Sequence, residues 1–251
     1  MMVAVTENLY RVHFYEIDSK QRILPTALVN YFQDIAVFQS ENVGVGIDYL
    51  QNNNLAWSLY QWDISIKKYP LFGQEINVIT RPCVFDKCNA YREFKVKDEN
   101  GETIASAYSR WVLLDTEKMK LAKIPPGIYE VYGIDPNESK PEKMTKPREA
   151  SQTDYQKEFT VGYCDIDTNK HLNNSKYIEW AIHTLPHEIP LSYSLNEVKV
   201  LYKKEAKIGE IVQVRTELME DNKKIIGLHK IIDENDKTLC LLENAWEALE
   251  A

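Results

Sequence analysis

The chain has 251 residues, of which 44% are apolar and 27% are charged, and its formal net charge is −8. A chain of this length buries its own core, and its four cysteines are too scattered for paired metal-binding motifs, so we expect neither disulfides nor a metal site. The acidic balance argues against nucleic-acid binding, and the lack of a signal-peptide core or of roughly 20 consecutive apolar residues predicts a cytoplasmic protein outside the membrane.

The first element that the sequence predicts is a long helix beginning near Leu24. Pro25 suits its first turn, and Gly44 and Gly46 follow its end. Because large apolar side chains cover much of its circumference, we expect the helix to lie buried under a sheet. The apolar positions at helical spacing are Leu24, Leu28, Tyr31, Phe32, Ile35 and Phe38.

A series of short β-rich runs follows the helix and extends to Leu114. Turn residues such as Pro70 and Gly73 separate the runs, which predicts strands that pair in an antiparallel meander. The runs cover residues 57–66, 75–84, 91–96 and 104–114.

A proline-rich stretch then precedes a second copy of the same pattern. Residues 125–157 hold five of the ten prolines among polar residues, which is typical of a linker. Beyond it, residues 159–167 match residues 10–18, and later landmarks recur in the same order. The matched landmarks are Gly73 with Gly209, Asp98 with Asp233 and Trp111 with Trp246.

Each copy therefore consists of a strand, a long helix and about four further strands. This order predicts an α+β protein with a tandem (double) hotdog fold, in which two antiparallel sheets each wrap around a long central helix and form a pseudo-dimer within one chain. The predicted domains are residues 1–124 and 158–251, with 125–157 as the linker.

The two copies differ most where the first strand leads into the helix. Asp167 has a counterpart in Asp18, but Asn169 and His171 stand opposite Lys20 and Arg22. A carboxylate, an amide and an imidazole therefore occur together only in the second copy. If the backbone is extended there, the two-residue alternation of side chains places all three groups on one face.

The following helix offers a second feature that suits acyl transfer. Asn173 and Asn174 are good capping residues, and free N–H groups at a helix start can stabilise an oxyanion. The alternative is that Asp167 and Asn169 only form a turn and a cap. Glu205, which takes the place of Tyr69, is on the residues alone best explained as a solvated charge.

These residues resemble the acyl-acyl-carrier-protein thioesterases of plants and bacteria, over nearly the whole chain. The most specific element is Asp167-x-Asn169-x-His171-x-Asn173-Asn174-x-x-Tyr177-Ile178-x-Trp180, supported by Tyr202-Lys203-Lys204-Glu205 and by Leu55-Ala56-Trp57. The resemblance implies hydrolysis of fatty acyl thioesters on acyl carrier protein, with release of free fatty acid. It implies no cofactor, and it places the acyl-chain pocket and chain-length specificity in the first domain.

The resemblance also assigns roles to individual residues. It implies catalytic roles for Asp167, Asn169, His171 and Glu205, and substrate contacts for Asn173, Asn174 and Trp57. Plant members commonly have Cys after the glutamate, whereas this chain has Ala206, which excludes a thiolate nucleophile at that position. An acidic carrier protein requires a basic docking patch, for which we expect Lys67, Lys68, Lys199, Lys203, Lys204 and Lys207.

Two other functions stay open at this point, namely an acyl-CoA thioesterase of the hotdog superfamily and a non-catalytic acyl-binding protein. The sequence also leaves open the acyl chain length, the saturation preference, the choice of nucleophile or base between Asp167 and Glu205, and the oligomeric state, with a homodimer as one option.

Overall fold

The computed structural model describes residues 3–135, 140–221 and 224–249 and divides the chain into two compact units. The first unit contains Met1–Tyr60 and Ile66–Lys143, and the second contains Gln61–Ser65 and Met144–Ala251. Among the described residues, no helix has both the length and the apolar character needed to cross a membrane.

The first unit is an antiparallel sheet with a long helix packed on it. Its strand order is β1-β3-β4-β5-β2, and the four predicted strands are confirmed with ends extended by a few residues. The helices are α1 (Pro25–Asn42), α2 (Ile47–Asn52) and α3 (Pro126–Tyr132), and the strands are β1 (Thr6–Arg11), β2 (Leu55–Ile66), β3 (Glu75–Asp86), β4 (Asn89–Lys97), β5 (Thr103–Asp115) and β6 (Lys120–Leu121).

The predicted long helix is α1, which packs against β1 and β3. It begins directly after Leu24 with Pro25 in the first position, and Gly44 follows its end with φ +77°, a conformation that glycine adopts without steric cost. Leu28, Tyr31, Phe32 and Ile35 are buried, whereas Phe38 is 46% exposed. The expectation that the helix lies buried under a sheet is therefore confirmed for these four residues and wrong at Phe38.

The segment predicted as a linker begins with part of the first unit. Helix α3 lies within it, and its residues Ile128 and Tyr132 are buried in one cluster with Val45, Phe85 and Leu113. The division between the units falls between Lys143 and Met144, and residues 136–139 lie outside the described residues. The limits 1–124, 125–157 and 158–251 stay a prediction.

The second unit repeats the arrangement of the first. Its strand order is β8-β11-β10-β9-β7, residues 61–65 pair with β8, and α4 packs on β7, β9 and β11. The helices are α4 (Asn174–Thr184) and α5 (Glu188–Ser192), and the strands are β7 (Tyr155–Thr160), β8 (Tyr193–Tyr202), β9 (Ile211–Asp221), β10 (Lys224–Asp233) and β11 (Thr238–Ala248).

Side-chain contacts repeat between the copies as well. Trp111 Nε1 donates to Ser109 Oγ, and Trp246 Nε1 donates to Asn244 Oδ1, so each tryptophan is held by the residue two positions before it. Asp98 and Asp233 each close a turn and bind a lysine, at 3.2 and 2.9 Å respectively. These contacts support the internal alignment, and the prediction of an α+β tandem hotdog fold is confirmed.

Candidate active site

The segment from Asp167 to His171 is a tight turn and not an extended strand. The Asp167 N–H donates to the His171 carbonyl at 2.8 Å, and the Lys170 N–H donates to the Asp167 carbonyl at 3.0 Å, with Lys170 at φ +63°. The predicted alternation of side chains is therefore wrong. Its physical reason is that Asp167 Oδ1 accepts from the N–H groups of Asn169 and His171, at 2.8 and 3.2 Å, which stabilises the turn.

The first unit forms the same turn around Asp18. Asp18 Oδ1 accepts from the N–H groups of Lys20 and Arg22, at 2.8 and 2.9 Å, so one oxygen of each aspartate has a structural role. The second oxygen differs between the copies. Asp18 Oδ2 accepts from the Arg22 guanidinium at 2.8 Å, whereas Asp167 Oδ2 receives no hydrogen bond from the described part of the chain. Only the second unit keeps this carboxylate oxygen open.

The side chains of His171 and Glu205 lie within hydrogen-bonding distance in the second unit. His171 Nδ1 lies 3.0 Å from Glu205 Oε2, and the two side chains are 28% and 44% exposed. A β-bridge between His171 and Lys207 holds the turn beside the segment that follows β8. The structure thus brings together a histidine and a glutamate that lie far apart in the sequence.

The corresponding positions also meet in the first unit, where the chemistry is different. Arg22 lies over the ring of Tyr69, with its guanidinium carbon 5.2 Å from the ring centroid. Because Arg22 also binds Asp18, this copy pairs its aspartate with a guanidinium and has neither an imidazole nor a glutamate at these two positions. The first unit has its own histidine–glutamate contact before the turn, between His13 Nδ1 and Glu16 Oε2 at 3.0 Å. What distinguishes the second unit is therefore the pair at the positions of His171 and Glu205.

At the start of α4, two of the backbone N–H groups already have partners. Asn173 caps the helix, because its Oδ1 accepts from the Ser175 N–H at 3.0 Å, and its carbonyl accepts from the Lys176 N–H at 2.9 Å. These two N–H groups are therefore already bound within the helix start. The Asn174 carbonyl accepts from the Tyr202 hydroxyl at 2.9 Å.

Two other predicted site residues lie in different settings. Asn169 is exposed on the turn, and its side-chain amide makes no hydrogen bond to the described residues, so it is available to a ligand. Trp57 belongs to the first unit, where it is half-buried with its ring centroid 6.5 Å from that of Phe85. Trp57 packs against the buried cluster that contains Tyr132, so it is part of the apolar interior of the first unit.

Tyr177, for which no role was predicted, also contacts this site. Its hydroxyl accepts from the Ala206 N–H at 3.2 Å, and the Ala206 carbonyl accepts from the Leu172 N–H at 2.8 Å. Tyr177 stood within the motif, but its counterpart in the first copy is Leu28. That difference between the copies was the signal that could have identified it.

Two family models match the chain, one in each unit. The acyl-ACP thioesterase N-terminal domain matches residues 4–132, and the acyl-ACP thioesterase C-terminal domain matches residues 148–248. A dodecanoyl-[acyl-carrier-protein] hydrolase from Cinnamomum camphora is 25% identical over 84% of this chain and 59% of its own length. A palmitoyl-acyl carrier protein thioesterase from Gossypium hirsutum is 27% identical, over 85% of this chain and 55% of its own length. The chain thus spans less than two thirds of these relatives.

Solved structures agree with these matches. A provisionally named oleoyl thioesterase from Lactobacillus plantarum has 26% identity and a TM-score of 0.94, covering 99% of this chain and 98% of that one. A 12:0-ACP thioesterase from Umbellularia californica shares the fold at 21% identity and a TM-score of 0.86, covering 98% of this chain and 94% of that one. With both family models matched in order along its length, the chain belongs to the acyl-ACP thioesterase family.

Proposed function

We propose that the protein hydrolyses the thioester of fatty acyl-acyl-carrier protein, releases free fatty acid and thereby terminates chain elongation. Family membership and the names of the matched relatives support this substrate class. The observation that carries the proposal is the 3.0 Å contact between His171 and Glu205, which the second unit has and the first unit replaces with Arg22 and Tyr69.

The geometry supports His171 as the general base. With Nδ1 directed at the Glu205 carboxylate, the proton of the neutral imidazole is favoured on Nδ1, which leaves the lone pair of Nε2 to accept a proton from water. The water oxygen then bonds to the thioester carbon, the C–S bond breaks, and the departing thiolate takes a proton from the imidazolium. The products are a fatty acid and the carrier thiol, and these steps use no cofactor.

Asp167 and Asn169 would act on the same reaction from the turn. The exposed Asn169 amide can donate to the substrate carbonyl oxygen, which becomes negatively charged when the carbon is attacked. The open Oδ2 of Asp167 is a second candidate, because a carboxylate there can activate water or attack the thioester carbon directly. Thioesters expel a thiolate readily, so either route works without a stronger nucleophile.

Substitutions at the site test these roles. His171→Ala and Glu205→Gln should lower kcat by about 10²- to 10⁴-fold, the usual contribution of general acid–base catalysis. Asp167→Asn keeps an Oδ1 acceptor for the turn and removes the charge, so it separates chemistry from folding. Arg22→Ala, at the position equivalent to His171, is the matched control and should retain wild-type kcat. Near-normal kcat in both His171→Ala and Asp167→Asn would refute the proposed site.

A substrate panel separates the proposal from its alternatives. Release of free thiol and fatty acid is measured with acyl chains of several lengths on acyl carrier protein and on CoA. We expect a higher kcat/KM with the carrier protein, since the exposed Lys203 and Lys207 flank Glu205 and can contact an acidic partner. Faster turnover of acyl-CoA would favour a CoA thioesterase, and acyl binding without release would favour a non-catalytic protein.

A further inference from the structure

A buried hydrogen bond connects α4 to the segment that carries Glu205. The hydroxyl of Tyr177 accepts from the Ala206 N–H at 3.2 Å, and both residues are buried, with Tyr177 2% exposed and Ala206 0% exposed. The Ala206 carbonyl accepts from the N–H of Leu172 at 2.8 Å. Ala206 directly follows Glu205, and Leu172 directly follows His171, so the bond between Ala206 and Leu172 joins the two catalytic segments. Tyr177 binds the remaining backbone group of Ala206, its N–H.

The first unit keeps one of these two hydrogen bonds and lacks the other. There the Ile23 N–H donates to the Pro70 carbonyl at 2.9 Å, which is the counterpart of the Leu172–Ala206 bond. Pro70 has no N–H to donate, and Leu28, at the position of Tyr177, has no hydroxyl to accept. The donor and the acceptor are thus missing together in the copy that has Arg22 and Tyr69 at the positions of His171 and Glu205.

This comparison separates two roles for the junction. The bond shared by both units, from Ile23 to Pro70 in the first and from Leu172 to Ala206 in the second, is sufficient to join the turn to the segment that follows β2 or β8. The bond made by Tyr177 is an addition of the unit that carries His171 and Glu205. A purely structural bond should be useful in both copies, so its restriction to one copy points to the chemistry of that copy.

A second tyrosine holds Tyr177 in place. The rings of Tyr177 and Tyr202 pack edge to face with centroids 5.4 Å apart, and the Tyr202 hydroxyl donates to the Asn174 carbonyl at 2.9 Å. Tyr202 is buried, and the equivalent residue of the first unit is Ile66. Burial raises the pKa of Tyr177 above its usual value, so its hydroxyl stays neutral at physiological pH.

We propose that Tyr177 is a positioning residue that holds Glu205 against His171 through the backbone of Ala206. This role rests on the hydrolysis proposed above. Glu205 is 44% exposed, so a loosened backbone would let its carboxylate turn towards solvent and leave the imidazole without its orienting partner. A displacement of about 1 Å can cost about 10²-fold in rate. Tyr177 itself does not touch the reacting atoms.

The bond can be removed from either side. Tyr177→Phe deletes the acceptor, and Ala206→Pro deletes the donor. The proline variant should fold because Pro70 occupies the equivalent backbone position in the first unit. We expect each variant to lower kcat for acyl-acyl-carrier protein by about 10- to 100-fold and to change KM by less than about threefold, since the bond acts on chemistry and not on substrate binding.

Three comparisons distinguish positioning from a general loss of stability. Tyr31→Phe removes the hydroxyl of a buried tyrosine on α1 that donates to Glu16, and it should keep wild-type kcat. The double variant Tyr177→Phe/Ala206→Pro should match the single variants, because both remove one bond. In a Glu205→Gln background, Tyr177→Phe should cause no further loss.

The outcomes assign failure to one proposal or the other. Wild-type kcat in Tyr177→Phe or Ala206→Pro would overturn the positioning role and leave the proposed hydrolysis standing. A full additional loss from Tyr177→Phe in the Glu205→Gln background would also overturn it, because Tyr177 would then act independently of Glu205. Absence of turnover in the wild-type protein would overturn both proposals.

Discussion

Acid should destabilise the second unit through His229, a histidine outside the proposed site. His229 lies on β10, is 1% exposed, and has its Nδ1 2.8 Å from Thr216 Oγ1. Burial lowers the pKa of His229 from 6.5 to about 4, and the nearby Asn244 side chain offsets part of this shift. The imidazole is therefore neutral in the folded protein over a range in which an exposed histidine is charged.

The size and sign of the effect follow from this difference in pKa. Between pH 6.5 and pH 4 the unfolded chain binds a proton at His229 and the folded chain does not, so the free energy of unfolding falls as the pH falls. The stability contribution is complete above pH 6.5. With a pKa of 6.5 in the unfolded chain and about 4 in the folded chain, lowering the pH from 7 to 5 removes about 2 kcal/mol.

Urea unfolding followed by tryptophan fluorescence at pH 7 and pH 5 measures this loss. His229→Gln keeps a hydrogen-bonding group near Thr216 and does not titrate, so its loss between the two pH values should be about 2 kcal/mol smaller than that of the wild type. Carboxylates common to both proteins cancel in the comparison. His183→Gln replaces an exposed histidine on α4 and should retain the wild-type dependence. Parallel pH profiles for His229→Gln and the wild type would refute the reasoning.

Three further changes test other parts of the chain. Gln39 is fully buried and accepts from Arg92 Nη1, so Gln39→Leu should lower the free energy of unfolding by about 2–3 kcal/mol in urea, and a loss below about 0.5 kcal/mol would contradict this account of the buried guanidinium. Trp57→Ala should shift the acyl-chain preference towards longer chains in the substrate panel, whereas an unchanged profile would remove Trp57 from the binding site. Reversing the charges of Lys203 and Lys207 to Glu should raise KM about tenfold for acyl-acyl-carrier protein but not for acyl-CoA, and an equal effect on both substrates would argue against carrier docking there.

Local periodicity made the larger elements predictable. The boundaries of α1 follow from Leu24, Pro25 and Gly44, because these residues set where helical backbone starts and stops. The burial of helix α3 within the predicted linker could not be predicted in this way. The average composition of that segment is polar and proline-rich, and it hides two positions, Ile128 and Tyr132, that lie one helical turn apart and bury together.

The contact between His171 and Glu205 lies beyond what the residues alone predict. It depends on how the segment after β8 aligns with the turn before α4, and no local pattern records that alignment. Glu205 alone in a charged strand end looked like a solvated residue, and only the family resemblance pointed to it. The prediction that Asp167, Asn169 and His171 alternate along an extended strand failed for a different reason. The Asp167 side chain accepts from the backbone N–H groups of Asn169 and His171, and these bonds bend the segment into a turn.

Duplication of the fold gives a way to separate residues that build a unit from residues that serve its chemistry. Asp18 and Asp167 both close a turn, so the turn explains one oxygen of each and does not explain why His171 replaces Arg22. A buried or bridging arginine is the simpler way to satisfy the aspartate, since it gives a salt bridge at 2.8 Å. Its absence from the second unit leaves a carboxylate oxygen open and brings an imidazole to Glu205. Stability alone does not require the open groups of the second unit, so a reaction that uses them explains the difference between the copies best.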